Sequence, residues 1–324
     1  RIIAVGTNKS VEQFISSDTQ VIDLVGKCVS PGIIDAHSHL AAFGHMELEF
    51  VNLRPPKVSS FATLNRELEN AAKKLKPGEW LVGRGFDTFR EGRFPRRWEI
   101  DDATSKNPTL IIHWGGQFGV ANTLALQKAG LLNAGVKNPY GGLYLRDKQG
   151  VPNGVLIHYP AIYAVHEPEQ TEADQQRWAE WGAKKFISCG VTCIHDNFAS
   201  PIIGLGYVRL EQSGKLPCRV RVYPYVKNLQ VCQALTAKMR RYNGPLVRVQ
   251  GIKLAVDGYA LMYETPPQHK EMAIPMHPQN LFNDIISTIH KADFQADVHA
   301  VGDKGVDWTL EAFQKAAGSA SACR

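Results

Sequence analysis

Hydrophobic and polar positions change rhythm twice along this chain and divide it into three stretches. Residues 1–30 carry short apolar runs, Ile2-Ile3-Ala4-Val5 and Val21-Ile22 with Leu24, set between polar residues. That alternation predicts short strands joined by turns, an N-terminal β segment of a composite small β domain. Pro31-Gly32 then punctuates the chain, and Ile33 to His39 runs apolar before ending in polar residues. The stretch 59–166 has another texture. Phe61, Leu64, Leu68 and Ala71-Ala72 fall at helical spacing ahead of Pro77-Gly78. Beyond them Gly, Pro, Trp and Arg are frequent and strand-like pieces are short, as at Thr109 to Trp114. This predicts a subdomain inserted between 31–58 and 167–324.

From Glu172 the pattern is regular. Helices are predicted at Glu172–Ser188, Pro201–Gln212, Leu229–Arg240, Leu281–Lys291 and Lys304–Ala317. Apolar strands fall between them at Val191–His195, Cys218–Val226, Val247–Val256 and Phe294–His299. Alternation of this kind predicts right-handed βαβ units and a parallel sheet, an α/β fold. With Ile33–His39 as the first strand there are about five strand–helix units, where a closed (β/α) TIM-type barrel has eight. Polar residues gather at the carboxyl ends of these strands: His37 and His39, His195 and Asp196, Lys253 and Asp257, His299 and Asp303. In a barrel all such ends face one rim, whereas an open sheet gathers those near its switch point. The expectation is therefore an incomplete barrel, whose first and fifth strands would be open edges.

Composition narrows the picture further. Hydrophobic residues make up 44% and charged residues 21%, which sets aside disordered and fibrous classes. The net charge of +6 is scattered except at Arg90, Arg93, Arg96 and Arg97, and a solvated loop explains that cluster better than a nucleic-acid surface. No apolar run is long enough to span a bilayer. The six cysteines form no CxxC pair and several lie in apolar runs, which reads as free thiols in a reducing, cytoplasmic setting. The first residue is Arg, so a lost upstream signal stays open.

His37-x-His39 carries the clearest chemistry. Residues i and i+2 on a strand share a face, so two imidazoles project together where one divalent metal could bridge them. Two chance histidines would do the same, but the preceding Pro31-Gly32-Ile33-Ile34-Asp35 defines the strand and its direction. Lys253 lies among Ile252, Leu254 and Val256, where burial lowers a lysine pKa and leaves a neutral nucleophile; an ordinary lysine paired with Asp257 is the alternative. His299 ends its strand as a further ligand or as a histidine capped by Asp303.

The run Val29-Ser30-Pro31-Gly32-Ile33-Ile34-Asp35-Ala36-His37-Ser38-His39-Leu40 resembles the opening metal motif of the amidohydrolases. Further motifs are similar to one branch, the YtcJ-like amidohydrolase 3 group that includes N-substituted formamide deformylases. They are Gly83-Arg84-Gly85-Phe86-Asp87, Gly141 to Asp147 with Gly150 to Leu156, Gly190 to Asp196, Gly251 to Gly258, and Val298 to Asp303. The resemblance implies that His37, His39, Lys253 and His299 hold one or two divalent ions of Zn²⁺ type, with Lys253 carboxylated. It implies Lys253 and His299 as catalytic residues and Asp87, Gln117, His158 and His195 near the substrate, although His195 could only support the site and Asp87 could only cap a turn. A metal-bound hydroxide would then cleave the carbon–nitrogen bond of an amide-like small molecule.

Two positions depart from the branch. Gln117 stands where a His is usual, and His158 where a Glu is usual, so His158 itself could be a ligand. The branch also implies a further metal His on a sixth strand and a general-base Asp on an eighth, which this stretch does not contain. The competing expectation is thus a truncated or non-catalytic metal-binding protein, with self-association into a homo-oligomer open. A metal-free carbohydrate- or nucleotide-binding α/β protein would have to treat His37, His39 and Lys253 as coincidence.

Overall fold

The computed structural model describes residues 2–87, 89–166, 170–200, 203–238, 242–266, 270 and 272–318, and divides into two compact units, 1–32 and 33–324. The expected helix limits at Pro201 and Arg240, and the tail from Ser319 with Cys323, lie outside the described residues. The first unit corrects the sequence reading. Its described residues hold a single helical turn, Asn8–Val11, capped by the Thr7 side chain on Ser10 N–H, and a 3-10 turn, Glu12–Phe14, but no strand. A strand needs a ladder partner, and alternation alone supplies none; Ile2, Ile3, Val21 and Ile22 stay exposed.

The second unit carries twelve strands among its described residues. In chain order they are β1 (Ile33–Ser38), β2 (Val51–Asn52), β3 (Leu81–Phe86), β4 (Thr109–His113), β5 (Phe118–Ala121), β6 (Leu143–Arg146), β7 (Pro152–Ile157), β8 (Val191–Ala199), β9 (Arg219–Pro224), β10 (Val247–Val249), β11 (Gly251–Ala255) and β12 (Gln295–His299). One sheet runs β1-β8-β9-β10 and is parallel throughout. A parallel pair, β11-β12, continues it: Tyr225, just past β9, bridges to Lys253, and Val226 N–H donates to the Lys253 carbonyl at 2.9 Å. The predicted strand Val247–Val256 is broken at Gln250, whose N–H turns to the Val222 carbonyl at 3.1 Å. The five predicted strand–helix units are present in order, but the described residues form no closed sheet, so the architecture seen is α/β with parallel sheets and not a completed barrel. β1 and β12 each pair on one side among the described residues, leaving Ile33 and Ile34 exposed.

Helices cover one face of this sheet for ordinary reasons. Glu172–Ser188 starts at a capping box between Thr171 and Asp174 and buries Gln175, Trp178, Ala179, Gly182 and Ala183, the stripe that 3.6-residue periodicity places on one side. The helix Leu40–Glu49 lies so close that a Cβ on Gly44 would fall 2.1 Å from the Trp178 carbonyl oxygen. Gln279–Lys291 buries Phe282, Ile285, Ile286 and Ile289, each contributing about 1.5–3 kcal/mol of apolar burial. On β9, Val220 and Val222 face the core, whereas Arg219 and Arg221 alternate with them on the other side. A parallel strand covered on both faces would be apolar throughout, so this face meets something polar.

Between these halves the strands β2-β3-β4-β5-β7-β6 build a second, mixed sheet. Two arginines beside it are spent on the fold: Arg93 makes a two-pronged pair with Glu99 at 2.8 and 2.6 Å, and Arg97 donates to the Pro152 carbonyl and Thr123. Among the described residues no helix is long and apolar enough to cross a membrane.

Candidate active site

The polar face of the parallel sheet opens on a cavity of about 580 Å³, lined in part by His37, His195, Asn197, Arg221, Tyr223 and Asp297. β1 delivers His37 there. The strand ends at Ser38, so His39 is the N-cap residue of the following helix, with its ring centroid 5.6 Å from that of His37 and the planes at 82°. The two rings are together, as the spacing implies, but one belongs to the strand and the other to the strand–helix corner. His39 keeps an exposed face, yet the protein packed around its ring excludes water and, with the nearby charges of His37, Lys253 and Arg84, pushes its pKa down from 6.5 to about 4. His39 is therefore a neutral imidazole at pH 7, the form that binds metals.

Lys253 is buried on β11, but not in a purely apolar setting. Its Nζ donates to Asp297 Oδ1 at 3.2 Å, from the position directly across the β11-β12 ladder. The partner is thus Asp297 and not Asp257. Asp297 also accepts from Asn197 Nδ2, and the Asn197 Oδ1 is buried with no hydrogen-bond partner among the described residues. A buried carbonyl left without a donor is rare in a settled fold and commonly marks a missing ligand, ion or water.

His299 sits two residues beyond Asp297. Its Nε2 lies 3.3 Å from the Gly258 carbonyl, 3.2 Å from Gln117 Nε2 and 3.8 Å from Asp257 Oδ1. Asp303 does not cap it; that carboxylate accepts from Tyr263 N–H and Lys304 N–H. Asp257 is fully buried and accepts from the backbone N–H groups of Leu261, Val301 and Gly302, which ties the loops after β11 and β12 together. Gln117 meets His299 directly, and its amide can turn either oxygen or nitrogen to the ring.

His158 is used differently from a ligand. It is fully buried at φ 67°, its Nδ1 lies 3.2 Å from the Gly141 carbonyl, and its Nε2 accepts from Tyr259 N–H at 3.0 Å. Both ring nitrogens are spent on backbone, so the ring ties the mixed sheet to the loop after β11. Its own N–H donates to the Gln117 carbonyl at 2.7 Å, so the two positions that depart from the branch pattern are coupled. Asp87 follows β3 at an exposed position and lies 3.5 Å from His113 Nε2. His195 lines the cavity, its ring stacked 6.0 Å from Tyr223; burial and Arg221 lower its pKa. Asp297, Asn197 and Arg221 escaped the sequence reading. Asp297-x-His299 repeats the i, i+2 spacing of His37-x-His39 and could have revealed the first of them.

The donor chemistry fits a divalent ion at His37 and His39: one imidazole is held neutral, and an acceptor without a donor, Asn197 Oδ1, lines the same cavity. Among the described residues no group of three His, Cys, Asp or Glu converges to complete a cage, so a third ligand would have to come from Lys253 or from a rearrangement.

Comparisons with known proteins agree with these motifs. The profile of the amidohydrolase family matches residues 20–323. The Arabidopsis thaliana protein LONG AFTER FAR-RED 3 is 28% identical over 98% of this chain and 57% of its own length. An N-substituted formamide deformylase of Arthrobacter pascens is 31% identical over 67% of this chain and 41% of its own length. The chain thus spans about half the length of these relatives. A crystal structure of an uncharacterized metal-dependent hydrolase from Pyrococcus horikoshii OT3 superposes with a TM-score of 0.65, at 24% identity, over 95% of this chain and 60% of the other, which shows a shared fold. With a profile match over nearly all of its residues, this chain belongs to the amidohydrolase family.

Proposed function

We propose that the site hydrolyses the carbon–nitrogen bond of amide-like small molecules with the help of a divalent metal. The observation that carries this reading is the His37–His39 pair, with His39 held neutral, beside the Lys253–Asp297 pair on the polar rim. His37 and His39 would hold the ion, zinc being the natural candidate for imidazole donors, with Lys253 joining them after carboxylation and one or two ions bound. When bound, the metal supplies Lewis acidity toward a carbonyl oxygen. The chain's own groups do the rest. Asp297 holds the Lys253 Nζ in place, and Asn197 offers an acceptor that water or a substrate N–H would satisfy. His299, oriented by Gln117 and Gly258, presents a nitrogen for proton transfer, and His195 borders the substrate cavity. N-substituted formamides are a first substrate class to try, because a relative bears that name.

The test is elemental analysis of the purified chain and of a His37→Ala/His39→Ala variant, supplied with zinc and bicarbonate, followed by assays on N-substituted formamides and other amides. Metal bound by the parent and lost from the variant, with turnover that follows the metal, is the expected result. Metal without turnover would leave a binding protein, and no metal in either would overturn the reading.

A further inference from the structure

One cation near the site has no anion beside it among the described residues. Arg84 lies inside the mixed sheet, on β3 between β2 and β4. Among the described residues no carboxylate is within ion-pair distance of it; its Nη2 reaches the Trp114 carbonyl at 3.4 Å. Protein crowds the guanidinium, which lowers its pKa, and Tyr159 and Tyr163 are the neighbours that favour its charge. Arg84 is half-buried; a guanidinium partly drawn out of water with no counter-ion among the described residues is incompletely satisfied, and its planar fork matches a carboxylate.

The surroundings connect this cation to the histidine pair. His39 meets Phe198 edge-on at 5.9 Å, Phe198 lies 5.5 Å from Tyr159, and Tyr159 stacks on Tyr163 at 6.0 Å. The result is an aromatic wall running from His39 to Arg84. Gly116, at φ 80°, leaves the corner beside it open: a Cβ there would come within 3.0 Å of Arg84 Nη2 and 3.2 Å of the Tyr159 hydroxyl. Two donors therefore flank a corner without a side chain, at the end of an apolar surface that starts at the candidate metal pair.

We propose that Arg84 and the Tyr159 hydroxyl bind a carboxylate of the substrate, so that the amides taken by this site carry a carboxylate at the end remote from His37 and His39. The inference builds on the hydrolase reading for its meaning, but the binding step needs neither metal nor turnover. Binding of phenylacetate and of phenylacetamide to the full chain, followed by calorimetry, tests it. The two probes share the ring and differ in charge. The parent should prefer the acid by about tenfold, since charge-assisted pairs with arginine are about twice as strong as neutral ones. Arg84→Met should abolish the preference, Arg84→Lys should retain part of it, and Tyr159→Phe should weaken it. Gly116→Ala, which keeps every charge but fills the corner, should weaken it as well, and serves if Arg84→Met does not fold. Equal binding of acid and amide by the parent would overturn the proposal. So would a preference that survives Arg84→Met but disappears in His37→Ala/His39→Ala, because the carboxylate would then sit at the histidines. Loss of the hydrolase reading would show instead as absent metal with the acid preference intact.

Discussion

Two buried asparagines, one in each sheet region, are treated in opposite ways. Asn122, in the mixed sheet, uses its whole side chain: Oδ1 accepts from Thr109 and Ala125 N–H, and Nδ2 donates to Thr104 Oγ1 and the Asn107 carbonyl. Asn197, on the polar face of the parallel sheet, donates to Asp297 and leaves Oδ1 with no partner among the described residues. The same residue type at the same depth thus closes a network in one region and leaves one open in the other. Asn122 is consumed by the fold, whereas the Asn197 carbonyl, on the polar face of the parallel sheet, is held ready for something outside it.

Four substitutions would sharpen or break this contrast. The largest effect is expected at the Lys253–Asp297 pair. Asp297→Ala leaves the buried lysine without its carboxylate, and removal of one member of such a pair costs about 3–5 kcal/mol. Because Asp297 is 21% exposed, the low end of that range is expected in urea unfolding. An unchanged midpoint would mean that water already serves Lys253 and that the pair is not a fixed part of the site.

Asp196 comes next and can be isolated by pH. It is fully buried next to His195, and although Tyr207 donates to it at 2.5 Å, burial raises its pKa from 3.8 to about 6. The folded state therefore keeps the proton to higher pH than the unfolded state does. Between pH 3.8 and 6 the native form binds more protons, so this group's contribution to stability falls as pH rises through that window, by roughly 3 kcal/mol at most for a shift of this size. Asp196→Asn should lack this component. Subtracting its stability from that of the parent between pH 4 and 7 should leave a curve that declines toward neutrality, and a flat or rising difference would contradict the assignment.

Much of this was legible in the sequence, and the failures have physical causes. Glu172–Ser188 appears with the limits that its periodicity gave, because a capping box marks its start and a buried stripe marks one face. The order of parallel strands followed from strand–helix alternation. The expected strands near Ile2 and Val21 did not form, because alternation predicts a strand's faces but says nothing of its partner. At the site, His37 and His39 could be read because their spacing is local. The partners of Lys253 and His299 could not, since register across β11-β12 and the course of the loop after β11 decide them: Asp297 and Asp257 stand where Asp257 and Asp303 were expected. His158 shows the same limit, as a histidine in a glutamate's place suggested a ligand until both nitrogens were found on backbone.

The asparagines themselves give the last and smallest effect, and the most direct comparison. Asn122→Ala strands two backbone N–H groups and removes both donors of the amide, so about 2 kcal/mol of stability should be lost. Asn197→Leu keeps the volume, removes one hydrogen bond to Asp297 and also removes the buried carbonyl that had no partner. These terms oppose each other, and where a polar group is already unsatisfied, an apolar replacement of similar shape is close to neutral. A change within about 1 kcal/mol is expected in the same urea titration. A loss as large as that of Asn122→Ala would mean that Asn197 is part of the fold's own framework. The open acceptor would then no longer distinguish the polar face of the parallel sheet from the interior of the mixed one.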